Sequence, residues 1–531
     1  RLLAAISGDW TIRTDELFQY LEQAHRLVFG YGQIPWEYRF GERTWILPAL
    51  SAVPLYLAKV IGWDTPDLYA PLVRSFHALL SMTIPAGMYF FTRRIHSESA
   101  ARAALVFGCF WHELVVASPH PIAENAAMAV MFAALLITKP QAGMLPRAIV
   151  GFLLAMVVVF RLQYAPAVGI IGLLLLWRPP LRANVAMIFA GLAAVFFAGV
   201  VDYFAWGEMW HTYINYFKLQ FSGYTQFTSN PPPTIHLQRL FITSGGLFYV
   251  IILASMFYIR RLWLPAALFL AVQIPHNIFV GEYTNILLGV PFILMLAGCL
   301  AAEWLDRPAK KQKRGDDDLT IMTPRQKAAW LSAALLFVST LAYGGYLPGQ
   351  TVMYVFKNER PLFHESAFFA VNKALSRMPP EEVKSVVFLM PGGSAHLFGG
   401  YYYTHQNTPM WFPFTEDYDR DALGLTAEEM QDVQTLLSTA GDGFATKASH
   451  LIMPHGVQVE GFTSVYESAP IAIMNGAQLV IWQNNNPDGV QTPDGAVYDI
   501  MDNAIVQVLG LLDTRLSVIS QKENPLTPLA P

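Results

Sequence analysis

Two adjacent carboxylates, Asp15 and Glu16, are the residues of this chain best suited to do chemistry. A carboxylate can accept the proton of an attacking hydroxyl group, which is the work of a general base. Acidic residues are also common in the first turn of a helix, because they stabilise the positive end of its dipole. The pair by itself leaves both interpretations open.

The pair stands near the start of residues 14–38, TDELFQYLEQAHRLVFGYGQIPWEY. Five apolar residues of its first half recur at roughly helical spacing: Leu17, Phe18, Leu21, Leu27 and Val28. This pattern predicts an amphipathic helix that lies on a membrane surface with its polar start exposed. Gly30, Gly32 and Pro35 then break the helix into a turn.

Residues 14–38 resemble the first extracytoplasmic loop of glycosyltransferase family 22, whose members use polyprenyl-phosphate mannose to build GPI anchors and N-glycans. The matching residues are Asp15, Glu16, Gln19, Tyr20, Glu22, His25, Gly30, Gly32, Trp36, Glu37 and Tyr38. The family has His-Pro before the acidic pair, whereas this chain has Arg13 and Thr14. The resemblance implies an inverting sugar transfer with Asp15 as general base and Glu16 as a less favoured base or a sugar contact. No metal and no cofactor are expected.

The composition is that of a polytopic membrane protein. Hydrophobic residues make up 54% of the chain, charged residues 14%, and the mean hydropathy is +0.35; these values exclude an ordinary soluble protein. Both cysteines lie in apolar runs and predict no disulfide framework. We expect as partners a polyprenyl-phosphate-sugar donor, a glycolipid or glycan acceptor and the lipid bilayer, but no nucleic acid; the oligomeric state stays open.

Ten apolar runs predict membrane-spanning helices, and the resemblance implies that these form a GT-C glycosyltransferase fold. They lie near residues 71–92, 100–118, 122–138, 146–160, 164–177, 183–202, 243–259, 262–280, 284–304 and 328–347. Residues 1–6 predict the end of one further span, for about eleven in total. Basic residues fall in every second loop, and the positive-inside rule makes those loops cytoplasmic.

The run at residues 45–61 is predicted not to cross the membrane. It is short and contains Pro48 and Pro54. A full crossing here would divide the first loop (residues 8–70) between the two sides of the membrane. We therefore predict an interfacial or re-entrant helix.

Two domains are predicted. Residues 1–350 form the transmembrane catalytic domain, with extracytoplasmic loops at 8–70 and 202–243. Residues 351–531 carry twenty acidic against nine basic residues and form an extracytoplasmic soluble α/β domain.

Local patterns within this second domain predict its helices and strands. Helices are expected at 363–377, 426–439 and 497–518, an apolar run at 383–390, and a strand at 449–453. The segment VVFLMPGGSAHLFGGYYYTH resembles a segment of the third GPI mannosyltransferases, the branch of the family that this chain resembles most. Its tyrosines, Tyr401–Tyr403, are a candidate platform for an acceptor glycan.

Further candidate residues lie at the extracytoplasmic ends of the predicted spans. Those expected to contact donor or acceptor are Glu37, Glu124, Arg161, Asp202, His236, Arg239 and Glu282. Each has a simpler explanation as well, such as a helix cap for Glu124 or an interface anchor for Arg161. The resemblance favours the binding roles, and a basic residue such as Arg161 is what a lipid-bound phosphate needs.

Residues 280–283 depart from the family pattern, because the two basic residues before Glu282 are replaced by Val280 and Gly281. The departure leaves the donor's identity open and transfers phosphate binding to Arg161, Arg239 or His276. It also keeps a non-catalytic lipid or glycan transporter, or a binding homologue of the same fold, as the alternative function.

The predicted location is a bacterial inner membrane, with the site and the C-terminal domain in the periplasm. The reason is that residues 351–531 contain no usable Asn-x-Ser/Thr acceptor site, which a luminal domain of this size would often carry. The alternative is the endoplasmic reticulum membrane, with the site facing the lumen.

Overall fold

The computed structural model describes residues 1–6, 16–39, 41–139, 142–221, 244, 246–279, 289–305, 367–388, 400–408, 410–411, 448–455, 461–468, 478–486 and 490. The chain divides into two compact units. The first unit comprises Arg1–Ala5, Ser75–Val201 and Tyr216–Leu362, and the second comprises Ile6–Arg74, Asp202–Asn215 and Phe363–Pro531. The division into domains at residue 350 stays a prediction.

The described residues are mostly helical. The helices are α1 (Leu2–Ile6), α2 (Glu22–Phe29), α3 (Trp36–Arg39), α4 (Ile46–Val60), α5 (Pro66–Leu80), α6 (Thr83–Ile95), α7 (Glu98–Phe110), α8 (His112–Val116), α9 (Ala123–Ile137), α10 (Met144–Phe160), α11 (Ala165–Leu176), α12 (Leu181–Trp206), α13 (His211–Phe221), α14 (Leu247–Met256), α15 (Ile259–Phe279), α16 (Val290–Leu305), α17 (Ala367–Ser376) and α18 (Gly400–Thr404). A π-helical turn at Glu16–Leu21 leads directly into α2, and a short 3-10 helix at Leu162–Tyr164 precedes α11. The strands are β1 (Val386–Phe388), β2 (Met410–Trp411), β3 (His450–Pro454), β4 (Phe462–Glu467) and β5 (Leu479–Asn484).

Most predicted spans coincide with helices of similar bounds. Helices α9, α10 and α11 end within two residues of the predicted runs, because continuous apolar sequence favours helix throughout. Among the described residues, α12 alone is both long and apolar enough to cross a membrane by itself, and the other apolar helices are shorter. The predicted span at 328–347 lies outside the described residues.

Two predicted spans are wrong as single helices. The run at 71–92 breaks between α5 and α6, where the Ser81 hydroxyl donates to the Ala78 carbonyl oxygen (2.6 Å) and the Thr83 hydroxyl donates to that of Leu80 (2.8 Å). These side-chain bonds compete with the backbone bonds of a continuing helix. The run at 100–118 breaks at Trp111, whose backbone is extended between α7 and α8.

The second unit has an apolar core beneath the first-loop helix. Leu17, Leu21 and Ala24 pack against the buried faces of α4 and the start of α5 and against two tyrosines of α18. Helix α4 confirms a helix at 45–61, while its membrane placement stays a prediction. The prediction that the polar start of the first-loop helix is exposed is wrong, since Glu16 is only 1% exposed.

The C-terminal part of the second unit contains a mixed five-stranded sheet in the order β2-β1-β3-β5-β4. Strand β1 pairs in parallel with β2 and β3, and β5 pairs antiparallel with β3 and β4. Apolar residues of α17 pack on β1, β3 and β5. The helix predicted at 363–377 is confirmed over its described part by α17, and the strand predicted at 449–453 is confirmed by β3. Strand β1 lies within the apolar run at 383–390, and the helices predicted at 426–439 and 497–518 lie outside the described residues.

Candidate active site

The predicted catalytic pair is only partly visible. Asp15 lies outside the described residues, and Glu16 is the first residue of the π-helical turn. A π-helical turn shifts the backbone hydrogen bonds by one residue and is often found at functional sites. Here it buries the polar side chains of Glu16 and Gln19 together with the apolar residues beside them.

Gln19 connects the π-helical turn to the Trp-Glu-Tyr triplet. Its side-chain amide donates to Glu37 Oε1 (2.6 Å), and its Oε1 accepts from Arg43 Nε (3.0 Å). The Tyr38 hydroxyl donates to the Gln19 carbonyl oxygen (2.9 Å). The structure therefore places Glu37, a predicted binding residue, in a buried hydrogen-bonded network beside the start of the first helix.

Glu42 is a buried carboxyl that the sequence reasoning missed. It is 6% exposed, and within the part of the chain that the structure describes its Oε1 has no hydrogen-bond partner. Burial raises the pKa of Glu42 to about 8; Arg43 beside it lowers the pKa and Glu37 raises it further. The sequence could have drawn attention to Glu42, because this acidic residue lies only four residues after Tyr38, the last residue of the matched motif.

Asp202 is fully buried and holds the start of α13. Its two carboxylate oxygens accept from the Thr212 backbone N–H and from the Thr212 hydroxyl, each at 3.0 Å. The same helix approaches the loop that carries Glu42, since a side chain at Gly41 would come within 2.6 Å of His211 Nε2. Asp202 therefore has a structural task, and its binding role stays a prediction.

Glu124 and Arg161, predicted separately, form an ion pair in the first unit. Arg161 Nη2 donates to Glu124 Oε1 at 2.5 Å, and the side chains are 13% and 2% exposed respectively. Charge-assisted bonds of this kind fix the orientation of a guanidinium group. Among the other predicted residues, His236, Arg239 and Glu282 lie outside the described residues.

Glu22 lies on the side of the first-loop helix that faces the C-terminal segment. Its carboxylate accepts from the backbone N–H groups of Gln33 (2.8 Å), Tyr401 (3.1 Å) and Tyr402 (2.9 Å). Burial raises its pKa to about 7, while these three hydrogen bonds lower it. Glu22 is thus a buried carboxyl whose hydrogen bonds connect the first-loop helix to residues 401 and 402.

His25, one turn further along α2, also reaches the C-terminal segment. Its Nδ1 lies 3.0 Å from the Tyr31 carbonyl oxygen and its Nε2 lies 3.0 Å from His405 Nδ1. Burial, together with the nearby His405, lowers the pKa of His25 to about 3, so the ring is neutral. A carbonyl oxygen only accepts, so Nδ1 of His25 carries the hydrogen and its Nε2 accepts from His405.

Tyr401–Tyr403 do not form an open platform. Their side chains are buried in the cores that join α18 to the first-loop helix and to the sheet. Because stacking against a sugar requires an accessible ring face, the predicted glycan platform is wrong for the structure described here.

A model of the Alg9-like mannosyltransferase family matches residues 1–405 of the chain. This range covers the first loop, the helices of the first unit and the α18 segment up to His405. The chain therefore belongs to the Alg9-like mannosyltransferase family.

Curated members of this family show the same relationship. The chain is 49% identical over 59 residues to GPI mannosyltransferase 3 of Trypanosoma brucei brucei, covering 10% of this chain and 11% of that protein. It is 37% identical over 89 residues to GPI alpha-1,2-mannosyltransferase 3 of Danio rerio, covering 17% of each. A longer alignment, at 23% identity over 437 residues, covers 81% of this chain and 77% of GPI mannosyltransferase 3 of Yarrowia lipolytica.

A solved membrane glycosyltransferase shares the fold. The structure of ArnT from Cupriavidus metallidurans bound to undecaprenyl phosphate matches with a TM-score of 0.51 at 12% identity, over 93% of this chain and 96% of that chain. At this identity the likeness shows the fold alone, which is the GT-C fold that the sequence predicts.

Proposed function

We propose that this family member transfers a hexose, with mannose as the first candidate, from a polyprenyl-phosphate donor to a hydroxyl group of a lipid-linked glycan. Membership of the mannosyltransferase family over residues 1–405 is the observation that carries the proposal. The relatives named GPI mannosyltransferase support the sugar and the acceptor class. The polyprenyl phosphate bound to the ArnT structure supports the donor class.

The proposed reaction needs one base and a stabilised leaving group. The acceptor hydroxyl oxygen attacks the anomeric carbon of the sugar while the bond to the phosphate oxygen breaks, and the configuration inverts. Polyprenyl phosphate leaves with the electron pair as an anion, so it needs cationic or hydrogen-bonding stabilisation more than a proton. The hydroxyl proton passes to Asp15, with Glu16 as the second candidate base.

The buried network beside the π-helical turn supports this assignment. Gln19 joins the turn to Glu37 and Arg43 through two side-chain hydrogen bonds. Catalytic groups act best when surrounding residues fix their geometry. A base that directly precedes such a turn gains that support.

The donor-binding roles of Glu124 and Arg161 form a separate part of the proposal. Arg161 supplies a positive charge for a lipid phosphate, and Glu124 orients its guanidinium group. Asp202, His236, Arg239 and Glu282 are proposed as further contacts to donor or acceptor on the strength of the sequence alone.

The site is proposed to face the extracytoplasmic side of the membrane. A donor that is a lipid can then enter from the bilayer while the polar acceptor arrives from the aqueous side. The eukaryotic relatives favour the endoplasmic reticulum over the bacterial inner membrane that the sequence favours.

Sugar transfer by the purified protein in detergent tests the proposal. The assay supplies polyprenyl-phosphate mannose and extracted lipid acceptors, and it compares the wild type with Asp15→Asn. Because a positioned general base contributes about 10²–10⁴-fold, the variant should lose about that much of kcat. Asp64→Asn, which changes an exposed acid of the same loop, should behave as the wild type.

Two outcomes would contradict parts of the proposal. Equal activity of the wild type and Asp15→Asn would move the base to Glu16, to be checked with Glu16→Gln. Absence of transfer by the wild type with several donor sugars would favour the non-catalytic transporter or binding homologue.

A further inference from the structure

The first-loop helix is held by a short segment that follows almost four hundred residues later. Glu22 accepts hydrogen bonds from two consecutive backbone N–H groups, those of Tyr401 and Tyr402, and from Gln33 within its own loop. The side chain is fully buried, so its hydrogen bonds are made without competition from water.

Gly400 shows how closely the two segments approach. Its backbone has φ +60°, and a Cβ added there would lie 2.6 Å from Glu22 Oε2. Only glycine fits, because both the left-handed backbone and the nearby carboxylate exclude a side chain.

Two further contacts join the same two segments, and a third joins residues 400–405 to α5. His405 donates to His25, the Tyr69 hydroxyl donates to the Tyr402 carbonyl oxygen, and Tyr402 and Tyr403 pack on Leu17 and Leu21. Apolar packing and buried polar bonds thus act on one helix at several points along its length.

These contacts lie close in sequence to the predicted catalytic pair. Glu22 lies seven residues after Asp15 and one residue after the π-helical turn. The family match ends at His405, so it includes the whole of residues 400–405. The segment therefore belongs with the part of the chain that the family shares.

We propose that residues 400–405 form a clamp that positions the catalytic start of the first loop, and that Glu22 is its positioning residue. The catalytic consequence rests on the proposed function, since a displacement of about 1 Å in a catalytic group can cost about 10²-fold in rate. The clamp gives residues after 350 a task other than glycan binding.

The test variant is Glu22→Gln, with Glu467→Gln as its matched control. The two oxygens of Glu22 face three N–H donors, and the NH2 group of glutamine must turn a donor towards at least one of them. Glu467 is half exposed and pairs with His455 on the surface, so the same change there should have no effect.

Two measurements on size-exclusion-matched preparations decide the question. Glu22→Gln should lower kcat by about tenfold or more while the donor KM stays within about twofold, because binding groups elsewhere are unchanged. Hydrogen–deuterium exchange should increase in peptides covering both 16–29 and 400–405. Wild-type kcat, or faster exchange in only one of the two segments, would overturn the clamp.

Tyr69→Phe covers the case in which Glu22→Gln does not fold. It removes only the hydroxyl that donates to Tyr402 and should give a smaller effect of the same kind, about fivefold in kcat for a single hydrogen bond. Wild-type kcat and exchange in this variant would then overturn the clamp. If the wild type transfers no sugar, the proposed function fails, and exchange in the two segments alone decides the clamp.

Discussion

Glu22 and Glu42 are buried carboxyls of the same loop with very different surroundings. Glu22 accepts three backbone N–H bonds, whereas Glu42 has a buried oxygen with no partner within the described part of the chain. The pKa is raised by burial in both, to about 7 for Glu22 and about 8 for Glu42. The region around Glu22 is therefore built to hold the loop, whereas no described residue makes a hydrogen bond to Oε1 of Glu42.

The comparison predicts that truncating Glu22 costs much more stability than truncating Glu42, and the loss at Glu22 is the largest effect expected. Glu22→Ala removes three hydrogen bonds from backbone N–H groups, two of them buried, at about 1–3 kcal/mol each, and the sum is comparable with the whole stability of a domain. Glu42→Ala removes a carboxyl whose Oε1 has no hydrogen-bond partner within the described residues, and at pH 5 it should lower the free energy of unfolding less than Glu22→Ala does. Thermal unfolding in detergent measures both, and equal losses would remove the distinction between the two regions.

The Glu124–Arg161 pair adds a third case to the comparison, because there the positive charge of Arg161 offsets the cost of burying the Glu124 carboxylate. Either Glu124→Ala or Arg161→Ala should cost about 3–5 kcal/mol, since each removes the opposite charge that compensates the burial of the other side chain. The double variant should cost less than the sum, because it leaves no charge behind. Additive losses in the thermal midpoints of the three variants would show that the pair is not coupled.

The comparison also predicts a pH dependence that separates Glu22 from Glu42. A carboxyl with a raised pKa binds its proton more tightly in the folded state, so its contribution to stability is lost as pH rises through that pKa. Relative to the wild type, Glu42→Gln should therefore gain about 1.4 kcal/mol per pH unit between the ordinary pKa of 4.5 and about 8. For Glu22→Gln the gain should stop at about 7.

Differences between variant and wild type are the quantity to measure. Buried histidines such as His25 titrate in both proteins, and their contribution cancels in the difference. Thermal midpoints at pH 5, 6, 7 and 8 suffice. Parallel curves for the wild type and both variants would contradict the assigned protonation states.

Local sequence predicted the helices well where a continuous apolar run or a helix-ending glycine was the main signal. Continuous apolar runs give α9, α10 and α11 nearly to the residue, and Gly30 ends the first-loop helix as predicted. The two runs taken as single spans failed because Ser81, Thr83 and Trp111 reshape the backbone through contacts that hydropathy does not report.

The sequence pointed to particular residues, whereas their structural surroundings appear only in the fold. The motif identified Glu22, His25 and Glu37 as a set, but only the fold shows that Glu22 and His25 contact the C-terminal segment while Glu37 bonds to the π-helical turn. Tyr401–Tyr403 suggested a sugar platform because aromatic residues suit sugars, yet their burial depends on which helix packs over them.

The sequence by itself determined the membrane class, the family and the position of the acidic pair, because composition and spacing along the chain carry that information. Only the tertiary structure decided the pairing of Glu22 with residues 401 and 402 and of Glu124 with Arg161. The first partners are separated by almost four hundred residues, and a carboxylate accepts from any N–H group that the fold brings within reach. Backbone donors are present at nearly every residue, so no pattern of side chains marks which of them Glu22 will meet.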